Sequence, residues 1–251
     1  MKLVRFRLPG DGELRQGELR GDMVVAEDAE YHLDRVMLLP PCVPTKIVCV
    51  GRNYAAHAEE LGNKVPEEPL LFFKPPSALI GPDEDIVLPD SSHVDYEAEL
   101  AVVIGKRCRN VSEEEALGFV LGYTCMNDVS DRVAQRWERN WVRAKGFDTA
   151  APLGPAIRTR DEGDGPFYIT LRLNGVLRQD GTTESMIYPV PRLIAAISSI
   201  MTLEPGDVIA TGTPGGVGRL SPGDIVEITI DGIGTLRNRV RSADRSEKEQ
   251  G

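Results

Sequence analysis

Apolar and polar residues alternate with two periods along this chain, and the change of period marks its elements. KLVRFRL, ELRQGELR and DMVVA are short strand-like runs separated by turn residues, so residues 1–44 read as a small β lead-in. The run KIVCV at 46–50 is unbroken and of strand length, and GRNYAAHAEELGN follows it at once, with the composition of a short helix closed by Gly62. Further strands are predicted at 70–74, 94–105, 119–126, 167–173, 208–211, 225–230 and 235–240, with Asn174-Gly175 and Asp231-Gly232 as hairpin turns. Helical patterning is confined to 112–118, where Ser112 and Glu115 suit a capping box, to 130–137 and to 190–201. The periods mix without regular βαβ alternation, which predicts a strand-rich α+β fold over 45–241. The polar tail SADRSEKEQG at 242–251 is predicted to be disordered.

Composition narrows the partners. With 251 residues, 41% apolar and 27% charged, the chain can bury a substantial core. A formal charge of -10 argues against nucleic acid and anionic membrane surfaces. MKLVRFRLPGDGELRQ lacks the apolar stretch of a secretory leader, and no run approaches the roughly 20 apolar residues of a membrane span. A cytoplasmic location is expected. Cys42, Cys49, Cys108 and Cys125 lack the paired spacings of a zinc site and are expected to be buried thiols.

The chemistry concentrates in VDYEAELAVVI. Alternation places Asp95, Glu97 and Glu99 on one side of a strand whose continuation is apolar, and desolvated like charges repel. A hard divalent cation, Mg²⁺ or Mn²⁺, would resolve that conflict, and so would a solvated edge strand; the pattern alone fits both. Asp128 ends the apolar run FVLGYTCMN, either as a third ligand or as a turn aspartate capping the next helix. His57 and Glu60 share a helical face, so the carboxylate could orient the imidazole and raise its basicity for work as a general base; a solvated pair looks the same. Lys145, in the Gly- and Pro-punctuated loop expected at RAKGFDTAAPLGP, is a candidate for a substrate carboxylate or an enolate. The glycine-rich turn ATGTPGGVG offers backbone N–H groups and the hydroxyls of Thr211 and Thr213 to an anion, without matching a nucleotide fingerprint. Arg52 is a further candidate anion clamp.

In this order, the blocks VGRNYAAHAEELGN, LLFFKPPSALIGP, VDYEAELAVVIGK, GYTCMNDVSDRVAQRWE, RAKGFDTAAPLGP, LNGVLRQDGTTESMI and MTLEPGDVIATGTPGGVG resemble the fumarylacetoacetate hydrolase (FAH) superfamily, in its compact bacterial form. The resemblance implies an FAH-type β-roll of mixed sheets with a few short helices. It implies Glu97, Glu99 and Asp128 as ligands of Mg²⁺ or Mn²⁺, and His57 and Glu60 as the catalytic pair on a lid that orders with substrate. Lys145 would face the reacting oxygen, with Arg52, Gln135 and Thr213 as substrate contacts. The substrate it implies is a small anionic 2-oxo acid or its enol, and the assembly a homodimer. The first reading of the reaction is 2-hydroxyhepta-2,4-diene-1,7-dioate isomerisation or decarboxylation in aromatic catabolism. Acylpyruvate carbon-carbon hydrolysis and oxaloacetate decarboxylation are the alternatives, and a non-catalytic protein that binds metal and oxo acid is a hypothesis of another class.

Overall fold

A computed structural model of the chain describes residues 1–243 apart from 28, 61, 63 and 65. One long sheet runs, neighbour to neighbour, through Glu30–His32, Met23–Ala26, Arg15–Arg20, Lys2–Arg7, Ala151–Thr159, Val120–Asn127, Ala98–Ile104, Val208–Ala210, Ile47–Gly51 and Leu70–Lys74. Most pairs are antiparallel, while Val208–Ala210 lies parallel to Ile47–Gly51, so the sheet is mixed. A five-stranded sheet of Val176–Thr182, Tyr168–Leu173, Ile225–Ile230, Gly234–Ser242 and Asp85–Leu88 packs against it. A three-stranded patch joins Ser130–Asp131, Val94–Tyr96 and Gly218–Arg219.

Every residue of Ala98–Ile104 is buried, as the apolar run Leu100–Ile104 leads one to expect of a central strand covered on both faces, and Glu99 is buried with them. Val4, Phe6 and Val24 of the lead-in strands form a small core with Ala156, and their first strand is hydrogen-bonded to Ala151–Thr159. The helix Val190–Ile200 turns Leu193, Ile194 and Ile197 inward, as its spacing predicts. Both hairpin turns fall where expected, at Asn174-Gly175 and Asp231-Gly232. All four cysteines are buried free thiols, and burial pushes those of Cys42 and Cys125 up to about 12.

Three elements differ from the sequence expectation. APLGP, expected as the end of a loop, opens the nine-residue strand Ala151–Thr159. Its ladder with Val120–Asn127 breaks between Tyr123 and Cys125, where the single residue Thr124 faces the three residues Pro155 to Ile157, and Pro155 lies in that irregularity, where no ladder N–H is needed. The predicted strand 94–105 divides at Glu97, its two halves joining different sheets. Lys145 closes the short helix Val142–Lys145 rather than standing in a loop. Of the polar tail, Ser242 completes a strand, and residues 244–251 lie outside the described residues. Among the described residues no helix is long and apolar enough to cross a membrane.

Candidate metal centre

The division of the acidic strand is what positions the site. At Glu97 the chain leaves one sheet for another. Its N–H donates to Asn127 Oδ1 at 3.0 Å and its carbonyl accepts from Asp128 N at 2.9 Å, which fixes Glu97 beside Asp128. Glu99 follows two residues on and points the same way. Glu97, Glu99 and Asp128, all buried, each bring a carboxylate oxygen within 4.8 Å of the others. The capping reading of Asp128 falls away, because Asp131 caps the next helix by accepting from Val133 N and Ala134 N.

The surrounding charges are unequally shared. Lys145 Nζ donates to Glu97 Oε2 at 2.8 Å, Asp128 Oδ2 at 2.7 Å and Ser130 Oγ at 2.5 Å. Arg132 donates to Asp95 Oδ2 at 2.7 Å, Glu97 Oε1 at 2.5 Å and Gln135 Oε1 at 2.9 Å. Burial pushes the Glu97 carboxyl upward, but Arg132 and Lys145 outweigh it and hold that group well below the usual carboxylate range. Burial also drives Glu99 upward, and there Asp128 and Glu97 add to it, so its pKa stands well above that range. Glu99 accepts one hydrogen bond, from Gly212 N at 2.8 Å, and has no ion-pair partner among the described residues. Gly212 is required at that point: its φ is +96°, and a Cβ would lie 2.8 Å from Asn53 Cβ.

Above the carboxylates lies a cavity of about 340 Å³ lined by Arg52, His57, Gln135 and Thr213 together with the carboxylates and Lys145. His57, on the helix Ala55–Glu60, places Nε2 3.7 Å from Glu97 Oε1 and Nδ1 3.7 Å from Glu60 Oε2. Burial lowers its pKa despite both carboxylates, so the imidazole is less basic than the sequence pairing suggests. Glu60 instead accepts from Gly216 N at 3.0 Å, tying the helix to the glycine-rich turn. Of the two threonines in that turn, Thr213 lines the cavity and Thr211 donates to Leu100 O at 2.9 Å, a bond that holds the fold. Phe72 covers Lys145, its ring centroid 4.9 Å from Nζ, and meets Trp141 edge-on at 5.3 Å.

Three buried polar residues escaped the sequence reading. Lys74 ends the strand Leu70–Lys74 with its ammonium 2.8 Å from Asp128 Oδ1. Arg132 anchors Glu97, as above. Gln179 accepts from Ala98 N at 2.9 Å and donates to Thr213 Oγ1 at 2.8 Å. A lysine closing the apolar run LLFF and an arginine four residues after Asp128 were the available signals; Gln179, in a polar strand, carried none.

The donor set fits a hard divalent cation: the candidate ligand atoms are all oxygen and, among the described residues, Glu99 has no ion-pair partner and Asp128 Oδ1 accepts no aligned hydrogen bond. Buried carboxylates at the junction of mixed sheets, capped by a histidine and faced by a lysine, define a strand-rich protein built around an acidic centre. The Fumarylacetoacetate (FAA) hydrolase C-terminal model matches residues 46–241, and the chain belongs to that family. It is 50% identical over 242 residues to an uncharacterized protein of Archaeoglobus fulgidus, covering 95% of this chain and 96% of the relative. It is 42% identical to the mitochondrial oxaloacetate tautomerase fahd2 of Xenopus laevis, over 86% of this chain and 72% of that one. Among solved structures, 5-carboxymethyl-2-hydroxymuconate delta-isomerase from Mycobacterium smegmatis superposes with a TM-score of 0.90 at 43% identity, covering 98% of this chain and all (100%) of the other. Maleylpyruvate hydrolase from Sphingobium sp. SYK-6, in complex with manganese (II) ion and pyruvate, superposes at 0.84 with 33% identity, covering 97% and 100%. These likenesses agree with the strand-rich α+β architecture expected from the sequence.

Proposed function

We propose that this chain is a Mg²⁺- or Mn²⁺-dependent enzyme that processes a small 2-oxo acid, or its enol, by way of an enolate. The observation that carries the proposal is the buried triad of Glu97, Glu99 and Asp128 beneath a cavity that His57 caps. When bound there, the cation supplies Lewis acidity to an oxo-acid oxygen and so favours loss of a proton or of a carbon substituent next to the carbonyl. Lys145 is the protein's own counter-charge to the enolate oxygen, sheltered from water by Phe72. His57, whose pKa burial lowers, is the base that takes or returns a proton at the substrate carbon or at water. Arg52, Gln135 and Thr213 hold the rest of the substrate.

The first choice of reaction is isomerisation or decarboxylation of a 2-hydroxyhepta-2,4-diene-1,7-dioate-like diacid. Supporting it, Arg52 and Arg136 line the cavity without a hydrogen-bond or ion-pair partner among the described residues, in a chain of net charge -10, so a second carboxylate has cations to meet. The isomerase likeness agrees with that choice. The second reading is hydrolysis of an acylpyruvate. It draws on the His57 and Glu60 pair and on the likeness to a hydrolase complexed with pyruvate. Product identification by mass spectrometry decides between them, using diene-dioates, acylpyruvates and oxaloacetate with Mn²⁺ or with EDTA. A Mn²⁺-dependent isomer or CO₂ loss supports the first, and pyruvate with a released acid the second. Failure to turn over any of these would overturn the proposal.

A further inference from the structure

We propose that Lys74 is a positioning residue of the metal centre, fixing the backbone around Asp128 and Lys145 and balancing the Asp128 charge while leaving its Oδ1 open to a cation. The inference rests on the metal reading above. An ammonium has three N–H donors. Lys74 spends all three on backbone carbonyls, those of Val129 at 2.9 Å, Lys145 at 2.8 Å and Ala150 at 2.7 Å. These belong to the residue after Asp128, to Lys145 itself, and to the residue that leads into Ala151–Thr159, so one side chain pins three separate segments to the end of one strand. Its fourth neighbour, Asp128 Oδ1, lies 2.8 Å away but outside hydrogen-bond geometry, and no other donor reaches that oxygen. The contact there is an ion pair rather than an aligned hydrogen bond, so the three N–H groups serve the carbonyls first. Lys145 contrasts with it, since its bonds go to side chains and two of them to the candidate ligands. One lysine holds the scaffold and the other holds the ligands. Lys74 is 1% exposed, and packing alone would be served by Met or Leu without the desolvation of an ammonium.

The test is Mn²⁺ binding by calorimetry to the full chain, as wild type, Lys74→Met and Lys74→Gln, with melting temperatures recorded in EDTA. The Mn²⁺ dissociation constant is expected to weaken about 10- to 100-fold in Lys74→Met. A smaller weakening is expected in Lys74→Gln, whose amide keeps two N–H donors for the carbonyls. A merely structural lysine would move the melting temperature and leave the dissociation constant of the folded protein unchanged. A bare local charge would give the opposite sign, because removing a cation beside carboxylates tightens cation binding. Either result overturns the inference. If Lys74→Met does not fold, Lys74→Gln decides by the same criterion; if neither folds, Lys74 belongs to the fold alone and the inference fails. A wild type that binds no Mn²⁺ refutes the metal reading itself, and that is seen before any variant is compared.

Discussion

Glu99 and Asp207 are both buried carboxylates, and the protein treats them in opposite ways. Asp207 accepts from Thr45 N at 3.0 Å, Thr45 Oγ1 at 2.7 Å, Lys46 N at 3.1 Å and Glu204 N at 2.8 Å, and it pairs with the Lys46 ammonium. Burial pushes its pKa up, but these bonds from Glu204, Lys46 and Thr45 prevail and its pKa falls below the ordinary 3.8. Glu99 has one backbone donor and two carboxylates for neighbours, and its pKa rises. Where the fold itself supplies the donors, a buried acid is architecture. Where it withholds them, as at Glu99, the acid either keeps its proton or takes its counter-charge from a bound cation, and this supports the cation proposed at Glu97, Glu99 and Asp128.

The largest contrast is expected from removing the two kinds of acid. Glu97→Gln combined with Glu99→Gln should lower metal-dependent turnover by at least about 100-fold and abolish Mn²⁺ binding while the protein stays folded, as circular dichroism and calorimetry would show. Unfolding of that variant would instead make the triad architectural and erase the contrast. Asp207→Ala should do the reverse. It strands the partly buried Lys46 ammonium and several N–H groups, costing about 3 kcal/mol, or a fall in Tm of roughly 6–12 °C, with Mn²⁺ affinity unchanged. A third test uses ligand linkage. Mn²⁺ at about 100 times its Kd should stabilise the wild type by about 2.7 kcal/mol and Glu99→Gln by much less, measured as the Tm difference with and without EDTA.

The smallest effect is on the acid side. Asp207 has a lowered folded pKa, so its contribution to stability is present above the unfolded value of 3.8 and is lost as pH falls through the folded one. Unfolding by urea across that window should show a shallower loss of stability in Asp207→Asn than in the wild type. Equal slopes would mean that the bonds around Asp207 do not distinguish its two protonation states.

How much of this was legible beforehand depended on whether the signal was local. Glu97 and Glu99 were readable because strand alternation is a property of adjacent residues, and the same holds for His57 and Glu60 on one helical face. Ala151–Pro155 reads as loop in the sequence because its prolines and glycine look like loop chemistry, and the ladder irregularity that accommodates Pro155 exists only when Val120–Asn127 is alongside. His57 shows a related limit: Glu60 raises its pKa, as their shared helical face leads one to expect, while burial, which is not visible in the sequence, outweighs that effect and sets the net direction. Lys74 and Gln179 had no local partners to announce them, since theirs lie 55 to 81 residues away in Val129 and Ala98.

The sequence by itself determined the strand-rich character, the hairpins, the family, and the carboxylates and histidine as candidates, because periodicity and short motifs are encoded by near neighbours. Only the tertiary structure decided which buried acids have donors from the fold and which, like Glu99, have almost none. Burial and long-range hydrogen bonds set that balance, and both arise when distant segments, 45–46 against 204–207 and 97–99 against 128 and 212, are brought into contact.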